Sequence, residues 1–415
     1  MSIPTTDWYA PMTTLPRITA SQRRARLVRR HLLAPSSRQA TAEAAAEALI
    51  GLHATDPATV FLAAAARMHA PTPQAIDAAL YGTPAGPRGG GPVLERIRCM
   101  RRTMFVVPRS LAPAIWSATT AANTGRHRTD AQTVLGDALG WDEHRYTAAE
   151  QAVLDALTDR GEATAAQLAA AIPDLREQIT VFPGKPYQTR QRASSHVLAV
   201  LAAEGRIRRS RPAGSWTSAQ FRWTSAQPLT RIAVADAKTS LARHYLKAFG
   251  PVTVDDVKWW TGWSLTDTRK ALAATGAQAV ELDEGTGYFL PEDLDTTQAA
   301  PAGPEPAAAL LPGLDPTAMG WRHRDWYLDP DHTKPLFDRN GNIGPTIWWN
   351  GRIIGAWAQH EDGHINRHLL ADPGREARTA IETEIGRLTG FLGTTRVTPC
   401  YRTPLERHLA TKRAI

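Results

Sequence analysis

Residues 51–57 read Gly-Leu-His-Ala-Thr-Asp-Pro. They place His53 and Thr55 two positions apart, on one side of a short turn between two alanine-rich helices. An imidazole with a free pKa near ~6.5 accepts a proton from water, and a threonine hydroxyl holds a water while being a weak base. The competing reading is structural, with His53 closing a helix end or bonding to backbone. Asp56 before Pro57 has the form of an N-cap with proline at the first helical position, and this outweighs a role as a second carboxylate. Two arginine clusters accompany the motif. Arg98, Arg101 and Arg102 lead into the apolar run 104–107, and Arg206, Arg208, Arg209 and Arg211 follow Gly205. Guanidiniums so grouped hold phosphates, which gives affinity without base readout; the alternative is a solvated face. Strand alternation puts Arg206 and Arg208 on one side, with the run at a hairpin tip.

Composition agrees with a polyanionic partner. The 415 residues carry 48 Lys+Arg against 40 Asp+Glu, a formal charge of +8. Arg17, Arg23, Arg24, Arg26, Arg29 and Arg30 fall in the first 35 residues, where Asp7 is the one acid. A basic balance favours nucleic acid but says nothing of fold. Cys99 and Cys400 are too few for a disulfide framework or a cysteine-rich metal centre. His360, Asp362, His364 and His368 flank a Glu-Asp-Gly sequence that reads as a turn rather than a metal site. There is no phosphate-cradling glycine loop, zinc spacing or Ser-His-Asp order, so neither cofactor nor metal is expected. No apolar stretch of about eighteen residues and no basic-then-apolar leader occur, and a cytoplasmic monomer away from the membrane is expected.

These residues need elements to position them. Thr19, with Gln22 three residues on, opens a helix as a capping box. A second helix is expected over about 41–52 and a third over 57–69, with Val60, Phe61, Ala64 and Met68 inward. Met104 to Val107 is a buried strand by its length. In a second unit, Thr147 caps a helix reaching Leu157, Thr164 opens another, and a third covers about 189–204. Strands follow near 206–211 and 219–224. A third unit repeats the order, with helices near 232–249, 254–261 and 264–274 and strands near 278–282 and 287–290. Three helices and a two-stranded hairpin are the winged-helix order, and the first unit reads as a diverged copy. Residues 301–306 read as a linker, and Asn350-Gly351 signals a tight hairpin beyond it. A helix over 374–392 closes the chain. The expected class is α+β: winged-helix units at 1–145, 146–228 and 229–298, then a small β-barrel with one helix at 299–415.

This layout resembles the AlkZ and YcaQ family of bacterial DNA glycosylases. The resemblance rests on Gly51–Pro57 with the helix after it, Met100-Arg-Arg-Thr103, and Phe249-Gly-Pro-Val-Thr253 with Trp260. It continues in Leu310-Leu-Pro-Gly-Leu-Asp-Pro316, Arg339-Asn-Gly-Asn-Ile-Gly-Pro345 and Gly351-Arg-Ile-Ile-Gly355. The resemblance implies three tandem winged-helix units in a C shape, a C-terminal β-barrel, and duplex DNA in a basic channel. It implies removal of bulky N7-alkylated purines, including the crosslinks of natural genotoxins. The family's Gln-apolar-Gln or Gln-apolar-Asp motif falls on His53, Ala54 and Thr55, and its Arg-Gly-Thr-Leu-His pattern on Arg101 to Phe105. His53 and Thr55 therefore differ from the family in type, and the family's second-pattern histidine is Phe105. An N7-alkylated purine is already cationic and leaves readily. What it requires is a placed water and stabilisation of the sugar cation. In that chemistry His53 activates or orients the water and Thr55 fixes it. The alternative function is a non-catalytic winged-helix protein, a transcription regulator or a sequestering agent for DNA adducts. Three non-identical units in tandem fit a symmetric regulator poorly.

Overall fold

The computed structural model describes residues 15–83, 90–185, 187–293 and 305–411. Most of the expected linker at 301–306 lies outside them. Helix α1 (Ala20–Arg30) starts at Thr19 with the reciprocal capping box that its sequence announces. Helix α2 (Ala42–Ala48), capped by Thr41, stops well short of residue 52. Ile50 turns into the left-handed region at φ 65. The chain then runs as a two-residue strand, β1 (Leu52–His53), so the motif sits in a sheet and not in a turn between helices. A strand this short carries no periodicity to read.

Helix α3 (Pro57–Arg67) begins where Asp56-Pro57 place it, and every one of its residues is buried. Ala58 and Leu62 pack into one cluster with Leu310, Trp357, Ile381 and Leu392 from the far end of the chain. Val60 and Phe61 join the larger core. Each such side chain contributes roughly 1.5–3 kcal/mol by burial. At the end of α3, Arg67 is fully buried and spends all five donors. They go to His31 O, Ala63 O, Thr317 Oγ1 and both oxygens of Asp315.

Helix α4 (Pro73–Tyr81) precedes β2 (Leu94–Arg98) and β3 (Met104–Pro108). With β1 they form an antiparallel sheet of order β1-β3-β2. Gly51 permits the close approach of β1, because a Cβ there would lie 2.8 Å from the Val106 carbonyl oxygen. Helices α5 (Ala112–Thr119) and α6 (Thr124–Leu139) lead to α7 (Glu143–Arg160). Its cap is Asp142, which accepts from Arg145 N–H, so Thr147 lies inside the helix instead of opening it.

Next come β4 (Glu162–Thr164), α8 (Ala165–Ala171), β5 (Gln178–Val181) and β6 (Thr189–Arg192). Helix α9 (Ala193–Ala203) starts later than expected because residues 189–192 pair with β5 as a hairpin. Strands β7 (Ile207–Pro212) and β8 (Phe221–Ser225) complete a sheet of order β4-β8-β7. This stretch has its own apolar core, built from α6 to β7 around Leu135, Tyr146, Val153 and Leu201.

Helices α10 (Val234–Phe249), α11 (Val254–Thr261) and α12 (Leu265–Ala274) precede the hairpin β9 (Gln278–Leu282) and β10 (Gly285–Phe289). Their core is continuous with that of α1 to α5. Strands β11 (Ala308–Leu311), β12 (Thr346–Trp349), β13 (Arg352–Gln359) and β14 (Ile365–Leu369) form an antiparallel sheet in sequence order. Asn350 at φ 49 and Gly351 at φ 75 make the tight turn read from their sequence. The expected barrel is not closed. β11 and β14 are edges, and the helix Gly374–Leu392 covers one face with Ile381 and Leu388.

Candidate nucleic-acid site

His53 is fixed from both sides. Its backbone pairs with Phe105 on β3, Ala54 N–H donates to Met104 O at 2.8 Å, and Arg96 Nη1 donates to Ala54 O at 3.0 Å. Beyond it, Asp56 caps α3 through Ala58 N–H and also accepts from Cys400 N–H at 2.9 Å. The carboxylate is thus occupied with backbone, as its Asp-Pro context suggests. The His53 ring lies 5.0 Å from Phe105, edge to face. It is 5 % exposed, and its Nδ1 is buried with no hydrogen-bond partner among the described residues. Burial, reinforced by the Arg101 charge, holds its pKa down to about 3. His53 is therefore neutral across the physiological range, and its Nδ1 is an acceptor in the tautomer that carries the proton on Nε2. So weak a base orients water better than it retains a proton. Thr55 is half-buried next to it.

Of the first arginine cluster, Arg101 acts on His53 through its charge. Arg101 and Arg102 form a turn with Met100 and adopt left-handed φ values of 51 and 62. Non-glycine residues pay about 1–2 kcal/mol each for that conformation. Arg102 is exposed, and its carbonyl accepts from Arg98 Nε at 3.0 Å. A cleft of about 220 Å³ opens off the β2 edge between Arg98, Arg102, Met104, Trp116 and Trp223. His53 is not in its wall.

The second cluster lies elsewhere than its sequence suggests. The arginines occupy the stem of the β7–β8 hairpin, since the turn comes only after Pro212. Arg208 pairs with the buried Glu95 at 2.8 Å and Arg211 with Asp77 at 2.9 Å. Arg209 stacks on Phe221 and Trp223, and Arg206 approaches Glu150 and Glu204 at 3.8 and 4.0 Å. Arg208 and Arg211 thus join this hairpin to the preceding stretch, whereas the partners of Arg206 and Arg209 lie within residues 146–228.

Three side chains outside the sequence-read set, Trp259, Arg324 and Phe337, link to Arg101, whose charge reaches His53. Arg101 lies over the Trp259 ring at 4.0 Å, and Arg324 lies over the same ring at 5.0 Å and over Phe337 at 5.3 Å. Nothing in their spacing marks them, since they come from segments far apart in the chain. An open depression of about 690 Å³ adjoins the Asp56 end, lined by Asp338, Arg339, Tyr401, Arg402 and Arg407. Cys400 also lines it, but its thiol is pushed up to about 12 by burial and then by Asp56, so it is no nucleophile at neutral pH.

A turn bearing Arg101 and Arg102 near a buried neutral imidazole is an arrangement suited to a polyanion. The family model described as "DNA glycosylase AlkZ-like" matches residues 46–391, and the chain belongs to that family of DNA repair glycosylases. An "Interstrand DNA cross-link repair glycosylase" of Streptomyces sahachiroi is 27% identical over 167 residues. That alignment spans 39% of this chain and 44% of the relative, under half of its length. The solved structure of Streptomyces sahachiroi DNA glycosylase AlkZ superposes with a TM-score of 0.68 at 21% identity. It covers 92% of this chain and 98% of that one, and so shares its fold.

Proposed function

We propose that this chain hydrolyses the N-glycosidic bond of bulky N7-alkylated purines in duplex DNA, with His53 and Thr55 placing the water. The observation that carries the reading is the buried, unpartnered Nδ1 of the neutral His53 ring, next to the Arg101 charge. The bond from C1′ to N9 breaks with its electron pair moving onto the base, which neutralises the cationic purine. The water oxygen bonds to C1′, and its proton passes by way of His53 to solvent. A neutral imidazole suits this step because a charged one would repel the sugar cation. The relative's name extends the substrate class to interstrand crosslinks, in which an alkylating bridge joins bases on opposite strands, each tied to its sugar by such a bond. In this reading Arg98, Arg101 and Arg102 take phosphates beside the lesion. Arg206, Arg208, Arg209 and Arg211 contribute less, because carboxylates and aromatic rings already hold them.

The three helical stretches, with boundaries near residues 145, 228 and 298, act as winged-helix units along the duplex. The test is base release from duplexes carrying a panel of bulky N7-alkylguanines, with wild type, His53→Ala and Thr55→Ala. Release that falls with both substitutions is expected. Tight, lesion-selective binding with no release from any duplex would instead assign the sequestering role.

A further inference from the structure

We infer that Arg101 and Arg324, seated on Trp259, form a phosphodiester site that grips a single backbone phosphate of the nucleotide placed at His53. The inference rests on the glycosylase reading for the identity of that nucleotide, and on local geometry for the site itself.

Three segments distant in sequence build it. Arg101 comes from the turn Met100–Arg102, Trp259 from α11, and Arg324 from the loop after Trp321. Gly262, whose φ of 78 favours glycine, ends α11 beside Arg101, where a Cβ would lie 3.7 Å from the Arg101 Cα, an ordinary contact. Arg101 itself holds φ 51. A left-handed arginine followed by a second left-handed arginine is a costly way to make a turn. What this conformation gains is the position of the guanidinium over the indole.

The charge balance points to an anion. No carboxylate forms an ion pair with Arg101 or Arg324 among the described residues; Arg324 instead faces the Tyr327 phenol. Asp256 is the nearby buried acid. It is consumed by Thr253 N–H and hydroxyl and by the N–H groups of Arg322 and His323. Arg101 Nε and Arg324 Nε are both buried without a partner. Burial and then the Arg324 charge hold the Arg101 pKa down to about 10, so Arg101 stays charged at neutral pH and is repelled by its neighbour. Two partly desolvated guanidiniums with spare donors and no counter-charge are relieved by an oxyanion. Arginine's planar fork matches phosphate oxygens, and the only polyanion in the family's chemistry is DNA.

A purely structural role, fastening α11 to the β1-β3-β2 sheet, makes a different forecast. The test uses duplexes containing one N7-methylguanine, with each flanking linkage replaced in turn by a neutral methylphosphonate. Affinities are measured for wild type, Arg324→Met, Arg324→Lys and Arg101→Met, each checked for an unchanged melting profile. One neutral linkage should weaken wild type by roughly tenfold or more, the worth of one charged hydrogen-bonded contact. Arg324→Met should lose as much on the natural duplex and be indifferent to that linkage, with Arg324→Lys between; Arg101→Met supplies the same comparison should Arg324→Met not fold. Losses that add at every linkage, or variants that bind as wild type does, overturn the site. Base release on the same duplexes separates the readings. Coupling without release leaves the phosphate site and removes the catalytic role, whereas release without coupling does the reverse.

Discussion

At His53, the local surroundings decide the chemistry more than the residue type does. An exposed histidine would be half charged near neutrality, whereas this one is neutral because burial and Arg101 both penalise the imidazolium. The rate of base release should therefore be flat between pH 6 and 8, with no limb near ~6.5. A wild-type limb there that vanishes in His53→Gln would contradict this. The same shift acts on stability. The unfolded chain binds a proton at His53 near ~6.5 and the folded chain only at about 3. Between those values the unfolded state holds more protons, so stability rises with pH and is lost on acidification. His31, also held down to about 3, adds to the same slope. Urea midpoints at pH 7 and pH 5 should differ less in His53→Gln than in wild type. Arg102 offers a second residue-level trade. Arg102→Gly relieves a left-handed φ of 62 and should leave stability equal or higher, by up to roughly 1 kcal/mol. It should weaken DNA binding, because an exposed guanidinium is lost.

Among the elements, α3 matters most for holding the motif, because it follows Asp56 directly and ties the first unit to the last. Its fastening is Arg67 on Asp315. Arg67→Met leaves that carboxylate buried and unpaired, and should cost about 3–5 kcal/mol in chemical denaturation. The β5–β6 hairpin is the opposite case. Its tip carries Phe182 and Tyr187, 54% and 59% exposed with rings 5.2 Å apart, flanked by Lys185, Arg190 and Arg192. Replacing both rings with serine should leave the melting temperature unchanged and weaken duplex binding by roughly tenfold, the range of one base-stacking contact.

Which elements were legible in the sequence follows from the range of the forces that form them. Thr19 with Gln22, Asp56 with Pro57 and Asn350 with Gly351 all act within a few residues, and each lies where its local chemistry puts it. β1 is too short for a pattern, and β5–β6 is hidden because Thr189–Arg192 reads as the start of the helix it precedes. The partners of Arg208 and Arg211 lie 113 and 134 residues away, so their pairing is invisible along the chain. Trp259 and Arg324 escape for the same reason. Their placement beside Arg101 is a product of tertiary packing.

On the scale of the whole molecule, part of the basic excess is spent inside the fold, where Arg17, Arg23, Arg26 and Arg30 pair with Glu281, Asp283, Glu284 and Asp293, while Arg98, Arg101, Arg102 and Arg324 have no carboxylate ion pair among the described residues. Binding of undamaged duplex should accordingly fall steeply with salt, by about 0.9 in log affinity per log salt for each phosphate contacted. An affinity indifferent to salt would argue against phosphate contacts. Glycosylase activity at His53 is the central claim, and single-turnover release of a bulky N7-alkylguanine from duplex DNA tests it most directly. Wild type should release the base, and His53→Ala should release it about 100-fold more slowly, the lower end for a positioned acid–base group. His53→Gln, which keeps an acceptor for water, should lie between them. Release by His53→Ala at the wild-type rate, or none by wild type on any bulky adduct, would contradict it.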